Sequence, residues 1–463
     1  MLLLKTDVPY LNRKIDADLL AWARENDRKP LLLRGARQVG KSSAVRHLAK
    51  QFDYFLEINF ELNKNAQNLF VKGDLSPHRL CQELSAIYEI PVIPGKTLLF
   101  LDEIQASLPA ISSLRFFYEN YKELHVIAAG SLLEFAFQEL PSFGVGRVRS
   151  IFMYPMSFFE FLNACDNKIL LQTIINANCK NSLSESVHKK IIELLRVFFI
   201  IGGMPEVVSD YINKNDFLSC QRILDDLVIS LRSDFSKYAK KVPALQISTV
   251  FDSVVNQMGK KFVFANISNE YTHKQLKEAL ELLKLSGLII PVYHSAANGI
   301  PLGAEIDIKK QKVLLLDTGI FQRLLGLPLK QSFMTDLLIS DDFSLVNKGN
   351  IAELFAGLEI LKAASCYEQK SLYYWHRENK SSNAEVDYVI QMGKNIIPIE
   401  IKSSTKGAMQ SMRLFLEEKK APFGIRSSLE NFGEIPGIKI LPLYALGEFV
   451  SGKNINHRGT QSV

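Results

Sequence analysis

The sequence has few cysteines and no long apolar stretch. Its five cysteines are scattered, odd in number, and form no Cys-x-x-Cys pair. This usage argues against a disulfide framework or a zinc site and favours a reducing compartment. The longest apolar run, 197–201, ends at two glycines and is far shorter than the roughly 20 residues of a membrane-spanning helix. The N-terminus has no adequate apolar core for a signal peptide. The sequence therefore predicts a cytoplasmic protein with no membrane partner.

Neither sign of charge dominates. The chain has 55 Lys and Arg against 49 Asp and Glu, a formal net charge of +6. A charge of this size permits contact with nucleic acid without establishing it, because spread-out charge is usually solvated surface. Hydrophobic residues make up 47% and charged residues 22% of the 463 positions, which is typical of a globular protein with about three domains.

The most specific motif is a phosphate-binding loop. It has the pattern Gly-x-x-x-x-Gly-Lys-Ser and stands between an apolar strand-like run and a helix-like run. Glycines let backbone N–H groups approach phosphate oxygens, and the following helix directs its positive N-terminus at them. Lys41 is expected to reach the β- and γ-phosphates of ATP, and Ser42 to bind Mg²⁺. The predicted nucleotide-binding residues of the loop are Gly35, Ala36, Arg37, Gln38, Val39, Gly40, Lys41, Ser42 and Ser43.

Four further strand-like segments alternate with helical stretches, which predicts an α/β fold with a parallel sheet. They are residues 54–59, 97–103, 124–129 and 150–154. Ligands on such sheets lie at the carboxyl ends of the strands. Asp102 is therefore expected to hold Mg²⁺, and Glu103 to polarise the attacking water. The alternative is that both acids only cap the next helix.

Two more positions are candidates for contact with the γ-phosphate. Ser131 follows the fourth strand and is either a γ-phosphate sensor or the N-cap of the next helix. Arg147 precedes the fifth strand, where it can neutralise phosphate charge in a neighbouring copy of a homo-oligomer. Arg149 is a second candidate for that role. A solvated surface arginine is the alternative for either.

Four stretches carry a family resemblance: GARQVGKSS, LLFLDEIQ, AAGSLLEF and GRVRSIFMYPMSFFEF. They resemble a family of prokaryotic AAA-type P-loop ATPases that have a second, long-uncharacterised C-terminal region. The resemblance implies ATP and Mg²⁺ as cofactors. Ser42-Ser43 stands where Thr-Thr is usual, which Mg²⁺ should tolerate, and the segment 128–131 replaces a more polar strand end. The family implies nucleotide roles for Lys41, Ser42, Asp102, Glu103, Ser131 and Arg147.

In the middle of the chain, Pro205 follows a Gly-Gly-Met turn. The related ATPases use a comparable turn to place a proline against adenine, which makes Pro205 a candidate nucleotide contact. A simple helix break is the alternative, since proline ends helices in any case.

Further along, Thr272 opens a capping box for a predicted helix at 274–286. Two strand-like segments, 288–293 and 313–316, follow it. Two helices followed by two strands form a winged-helix pattern, which either reads DNA or packs as a structural lid. The lid is favoured, because few basic residues are placed for phosphate contact. They are His273, Lys274 and Lys277.

The C-terminal segment holds a second candidate site. Gly393-Lys394 predicts a two-residue hairpin loop, which places Asp387 opposite Glu400. Lys402 lies two residues on and shares their face. Like charges buried together favour a bound cation. Mg²⁺ suits oxygen ligands, and the lysine can help to activate a water or stabilise developing charge.

These residues resemble the PD-(D/E)xK nuclease core. Asp387, Glu400 and Lys402 match its motif, and Glu353 on the preceding predicted helix matches its auxiliary acid. The resemblance implies metal-dependent cleavage of DNA or RNA. A retained fold with lost activity, or a surface ion pair, is the alternative.

Together the patterns predict an α/β protein of three domains: a P-loop ATPase domain at 1–162, a helical, winged-helix-like domain at 163–345 and a restriction-endonuclease-like domain at 346–463. The predicted function is an ATP-hydrolysing switch coupled to a nuclease-like domain that acts on or binds nucleic acid. One alternative is a signalling or scaffold ATPase whose C-terminal domain only recognises a protein partner. A second is a nucleotide-gated DNA-binding regulator.

Overall fold

Two β-sheets organise the chain. The computed structural model describes residues 9–140, 146–238, 242–330, 348–379, 382–402 and 409–452. The chain falls into two compact units, of which the first contains residues up to Pro155 together with Leu285–Gly287 and Ser365–Gln369. The second contains the remainder. The three-domain division stays a prediction. In the described ranges, no helix has both the length and the apolar character needed to cross a bilayer.

The first unit is built on a parallel sheet in the order β2-β3-β4-β1-β5. Its strands are β1 Leu31–Arg34, β2 Tyr54–Asn59, β3 Thr97–Asp102, β4 His125–Ala129 and β5 Arg149–Phe152. Its helices are α1 Ile15–Ala23, α2 Lys41–Ala49, α3 Lys64–Val71, α4 Pro77–Tyr88, α5 Leu108–Asn120 and α6 Leu133–Glu139.

Every residue of β3 and β4 is buried, as expected for strands whose two faces are both covered. This confirms the predicted parallel α/β sheet. Because β4 lies between β1 and β3, the carboxyl ends of these three strands meet at one edge. The phosphate loop, Asp102 and Ser131 therefore follow neighbouring strands.

The second unit begins with helices. They are α7 Phe158–Ala164, α8 Lys168–Asn176, α9 Glu185–Ile201, α10 Pro205–Lys214, α11 Phe217–Ser233, α12 Phe235–Tyr238, α13 Ala244–Asn256, α14 His273–Leu285 and α15 Thr318–Leu324. Three helices follow later: α16 Lys348–Ala363, α17 Gln410–Lys419 and α18 Leu446–Ser451. The predicted capping box is confirmed, because the Gln275 N–H donates to Thr272 Oγ1 and the Thr272 N–H donates to Gln275 Oε1.

A mixed eight-stranded sheet, in the order β12-β13-β11-β10-β9-β8-β6-β7, completes this unit. Its strands are β6 Ile289–Ser295, β7 Ile306–Leu315, β8 Leu372–Asn379, β9 Ser382–Met392, β10 Asn395–Ile401, β11 Gly424–Ser428, β12 Gly433–Ile435 and β13 Ile438–Pro442. Strands β6 and β7 form a hairpin, and β6 pairs in parallel with β8. The order α13, α14, β6, β7 is the predicted helix, helix, strand, strand, and the winged-helix assignment stays a prediction.

The hairpin of β9 and β10 has the predicted register. Asn395 pairs with Met392, and the ladder continues to the pair of Ile399 and Tyr388. The two-residue loop at Gly393-Lys394 is thus confirmed, and Asp387 and Glu400 are the next residues of the two strands.

Candidate functional site

The phosphate loop has a backbone that demands glycine. Gly35 has φ +148°, and a Cβ there would lie 2.1 Å from the main-chain oxygen of Met153. Gly40, which opens α2, has φ +97°. Residues with a side chain are disfavoured at such angles, so the loop conformation requires the two glycines of the motif.

A buried arginine that the sequence analysis missed supports this loop. Arg13 is 9% exposed. Its Nη1 donates to the main-chain oxygen of Val39 at 2.8 Å and its Nη2 to that of Tyr154 at 2.7 Å. Arg13 therefore ties the loop to the segment that follows β5. Nothing in its local spacing marks it, because both acceptors are distant in sequence.

Lys41 lies inside the curve of the loop. Its Nζ donates to the main-chain oxygens of Gly35 at 3.0 Å and Ala36 at 2.7 Å. Burial lowers the pKa of Lys41 to about 8, against the opposing effect of the Glu103 and Asp102 charges. An ammonium held only by neutral carbonyl groups gains from an anionic ligand, so this position fits a phosphate.

Ser42 and Asp102 form the pair suited to Mg²⁺. Ser42 Oγ donates to the two carboxylate oxygens of Asp102 at 3.1 and 3.0 Å. Asp102 is 4% exposed, and burial raises the pKa of its carboxyl group. A hydroxyl beside a carboxylate supplies the oxygen ligands that Mg²⁺ prefers, and a cation would offset the cost of burying the charge.

Glu103 is fixed by polar neighbours. Its Oε2 accepts from Gln105 Nε2 at 2.6 Å and from Ser131 Oγ at 3.5 Å. Arg37 Nε donates to the same serine hydroxyl at 3.2 Å. Ser131 is not a helix N-cap, because Leu132 holds that position of α6. The structure thus brings together Glu103 and Ser131, and it adds Gln105, which the sequence analysis missed.

The two candidate arginines are both paired within the chain. Arg147 Nε lies 3.0 Å from Glu119 Oε1, and its side chain is 52% exposed. Arg149 Nη1 donates to both carboxylate oxygens of Glu25, at 2.7 and 2.8 Å. Pro205 is the first residue of α10 and belongs to the second unit. The roles expected for Arg147 and Pro205 stay predictions.

In the second unit, Asp387 lies on β9, Glu400 lies on β10, and Lys402 directly follows β10. Glu353, the predicted auxiliary acid, lies on α16. Lys402 Nζ is 2.6 Å from Glu400 Oε1, and the Ile401 N–H donates to Asp387 Oδ2 at 2.8 Å. Glu400 is 5% exposed, and its Oε2 is buried without a hydrogen-bond partner. Burial raises the pKa of Asp387 and of Glu400.

Lys312 on β7, which the sequence analysis missed, lies among these acids. Its side chain is 1% exposed, and its Nζ is 2.9 Å from Glu353 Oε1, 2.5 Å from Glu385 Oε1 and 3.7 Å from Asp387 Oδ1. The nitrogen is also 5.4 Å from the centre of the Tyr374 ring. A single lysine directly before the apolar run 313–316 is the only signal in the sequence.

Burial and neighbouring charges have opposing effects on the pKa values of this cluster. Burial raises the pKa of Glu353 to about 7 although the Lys312 charge lowers it. Burial alone would lower the pKa of Lys312, but the charges of the surrounding acids outweigh it and raise the pKa above the usual value. Among the residues that the structure describes, no three or more His, Cys, Asp or Glu side chains are grouped so as to hold a metal ion. The expected Mg²⁺ ligation by Asp387 and Glu400 therefore stays a prediction.

Three segments of the chain match family models. Residues 27–162 match the AAA domain model, 192–331 match a domain of unknown function, DUF8612, and 348–446 match another, DUF4143. The first match, the phosphate loop and the parallel strand order make residues 27–162 an AAA-type domain with the P-loop NTPase fold. No curated protein sequence matches this chain.

Solved structures show a weaker similarity, at 14% sequence identity in each case. The Walker-type ATPase PABY2304 of Pyrococcus abyssi covers 68% of this chain and 96% of its own, with a TM-score of 0.44. The Aeropyrum pernix ORC1 protein in complex with DNA covers 72% and 97%, with a TM-score of 0.30. The S. cerevisiae Hsp104–ADP complex covers 60% and 38%, with a TM-score of 0.25.

Proposed function

We propose that the first unit binds ATP with Mg²⁺ and hydrolyses it as a nucleotide-driven switch. The observation that carries this proposal is the meeting of Lys41, the Ser42–Asp102 pair and Glu103 at one edge of the parallel sheet. Phosphoryl transfer needs mainly positioning and neutralisation of charge, and this edge offers an ammonium, a cation-binding pair and a carboxylate.

Each residue has a defined part in this proposal. Backbone N–H groups of the loop 35–40 and the Lys41 ammonium bind and orient the phosphates. Ser42 and Asp102 would hold Mg²⁺, which neutralises charge on the phosphate oxygens. Glu103 polarises the attacking water. Ser131 shares a hydrogen bond with Glu103 and can therefore report contact with the γ-phosphate.

The test separates binding from hydrolysis. In Glu103→Gln we expect ATP affinity within about twofold of the wild type, because the loop is untouched. We expect phosphate release to fall at least about a hundredfold, the usual contribution of a general base. Glu89→Gln, which changes an exposed glutamate of the same unit, should behave as wild type. A wild-type protein that binds ATP and releases no phosphate would contradict the proposal.

We propose a second function for the C-terminal strands, as a PD-(D/E)xK-like nuclease core that acts on DNA or RNA. The observation that favours it is the convergence of Asp387, Glu400 and Lys402 on one hairpin. Asp387 and Glu400 would hold Mg²⁺, which activates water and offsets phosphate charge. Lys402 would stabilise charge that develops on the phosphate, and Glu353 is the auxiliary acid.

The corresponding assay is metal-dependent nicking. Wild-type protein with Mg²⁺ or Mn²⁺ is expected to nick plasmid DNA or cleave RNA, and Asp387→Ala and Lys402→Ala to abolish cleavage. Glu434→Ala removes an exposed acid from β12 of the same sheet and is the matched control. Binding of nucleic acid without cleavage would favour the alternative, in which the C-terminal domain of the ATPase only recognises a partner.

Location and partners form the remaining part of the proposal. All five cysteines are free, which supports a reducing, cytoplasmic setting. Arg147 implies a second copy of the chain as a partner. For α14 and the β6–β7 hairpin we propose a packing role rather than DNA reading. A DNA affinity that falls steeply with salt in the wild type, and less steeply when Lys274 and Lys277 become alanine, would overturn that choice.

A further inference from the structure

The acid cluster of the second unit already contains a buried cation. Lys312 reaches it from β7, and its ammonium contacts Glu353 and Glu385 and lies 3.7 Å from Asp387. Glu385 and Asp387 are two residues apart on β9 and share a face. Glu353 comes from α16. Two separate elements, α16 and β9, thus direct carboxylates at one lysine, which is 1% exposed.

The cluster is more negative than its lysines can balance. Four carboxylates, those of Glu353, Glu385, Asp387 and Glu400, face two ammonium groups, those of Lys312 and Lys402, and the charge of the Arg426 guanidinium also acts on Glu400. When all four acids are ionised they outnumber these cations by one, and a bound cation would offset the difference. One acceptor is also unused, because Glu400 Oε2 is buried without a partner.

Asp387 has little freedom to bind that cation. Its Oδ2 accepts the Ile401 N–H at 2.8 Å, so its Oδ1 is the oxygen left for a metal. Lys312 is the cation beside Oδ1, at 3.7 Å. A divalent ion at this oxygen would have a positive, non-coordinating group as its near neighbour. Water screens their repulsion only in part, because the side chain of Lys312 is 1% exposed and that of Asp387 is 21% exposed.

We propose that Lys312 is a built-in competitor of the divalent cation at Asp387 and Glu400, and that it sets how weakly the C-terminal site binds metal. This inference rests on the C-terminal metal site proposed above and adds its regulation. Any partner or substrate phosphate that draws Lys312 away from Asp387 would raise metal affinity at the same site.

The test measures Mn²⁺ binding rather than activity. Nucleotide-free, full-length protein at pH 8 is titrated with Mn²⁺, and the free ion is followed by electron paramagnetic resonance. Lys312→Met removes the charge and keeps the length of the side chain. We expect it to raise Mn²⁺ affinity at least about tenfold, because repulsion in a buried site is only weakly screened. Adding Asp387→Asn should remove the gain.

Lys312→Arg is the matched control. It keeps the positive charge, so its Mn²⁺ affinity should stay at the wild-type value, weaker than about 1 mM. A folded Lys312→Met protein with unchanged or weaker Mn²⁺ binding would overturn the inference. If that variant fails to fold, the wild type still decides: Asp387-dependent binding well below 1 mM on this same scale would also overturn it.

The nuclease proposal and this inference fail in different ways. If Lys312→Met gains an Asp387-dependent Mn²⁺ site and no protein of the series cleaves nucleic acid, the inference stands and the nuclease proposal fails. If the wild type cleaves, Asp387→Ala does not, and Mn²⁺ affinity is indifferent to Lys312, the nuclease proposal stands and the inference fails.

Discussion

Each unit of this protein buries one lysine at its candidate site, and the two lysines differ in what surrounds them. Lys41 donates to two main-chain carbonyl groups, and burial lowers its pKa to about 8. Lys312 contacts carboxylates, whose charges raise its pKa. Carbonyl dipoles leave an ammonium in need of an anion, whereas carboxylates satisfy it. The neighbours of a buried lysine therefore indicate its role. A lysine among carbonyl groups can bind an anionic ligand, whereas a lysine among carboxylates occupies the place of a bound cation.

The largest effect expected from this comparison is on ATP turnover. Lys41→Ala removes the only side-chain ammonium of the loop, and phosphate release should fall about a thousandfold, as for other preorganised charges in active sites. The free energy of unfolding should change by less than about 1 kcal/mol, because only bonds to carbonyl groups are lost. Phosphate release and urea denaturation measure the two quantities. Lys50→Ala, at the exposed end of the same helix, is the control, and near-normal turnover in Lys41→Ala would break the comparison.

The opposite pattern is expected at the second lysine. Lys312→Ala leaves three partly or fully buried carboxylates without their shared cation, and the free energy of unfolding should fall by about 3–5 kcal/mol. ATP turnover per folded molecule should not change. Urea denaturation of the full chain gives the first quantity, with the exposed Lys309→Ala as control. A loss no larger than that of Lys309→Ala would show that Lys312 is not held as tightly as its contacts indicate.

A smaller effect distinguishes the lysines by pH. The pKa of Lys41 is lowered to about 8 by burial, so its amine is charged below that pH and becomes neutral above it. ATP affinity should therefore decrease by up to about tenfold between pH 8 and pH 9. Fluorescent-nucleotide binding across this range measures it. Lys41→Arg keeps its charge at these pH values, so a persisting decrease in that variant would assign the titration to another group.

The smallest effect concerns the support of the loop. Arg13→Ala frees the Val39 carbonyl and loosens the loop without removing a phosphate ligand. The KM for ATP should rise about three- to fivefold with a smaller change in kcat, the pattern of lost positioning in the bound state. Steady-state kinetics measure both constants. Arg13→Lys can restore one of the two hydrogen bonds and should lie between; an unchanged KM in Arg13→Ala would remove Arg13 from the site.

The first site was largely predictable because its chemistry is local in sequence. The loop, its strand and its helix fall within 31–49, and strand ends marked Asp102 and Glu103. The hairpin of β9 and β10 was predictable for the same reason, since a two-residue loop fixes its register. Arg13 and Lys312 were not, because their partners lie far away along the chain. Lys312 and Glu353 are 41 positions apart in the sequence, and the strand pairing that brings Lys312 to the acids is not encoded in any local pattern.

Part of β7 was also missed from the sequence. The first half of β7, residues 306–310, is exposed or half-buried and includes three charged residues, so only the apolar end of the strand was predicted. The sequence predicted this hairpin as part of a winged-helix-like domain, and that assignment stays a prediction. The structure adds that the hairpin belongs to the sheet that carries the acids, because β6 pairs with β8.

That parallel pairing joins two segments that match different family models, 192–331 and 348–446. The C-terminal segment alone would present β8 with a bare row of amide and carbonyl groups, a template for unwanted association. It would also lose the Lys312 ammonium, which contacts Glu353 and Glu385. The C-terminal segment is therefore unsuited to being moved into another protein by itself. A chimeric protein that takes the β9–β10 hairpin with Asp387 must also include the β6–β7 hairpin.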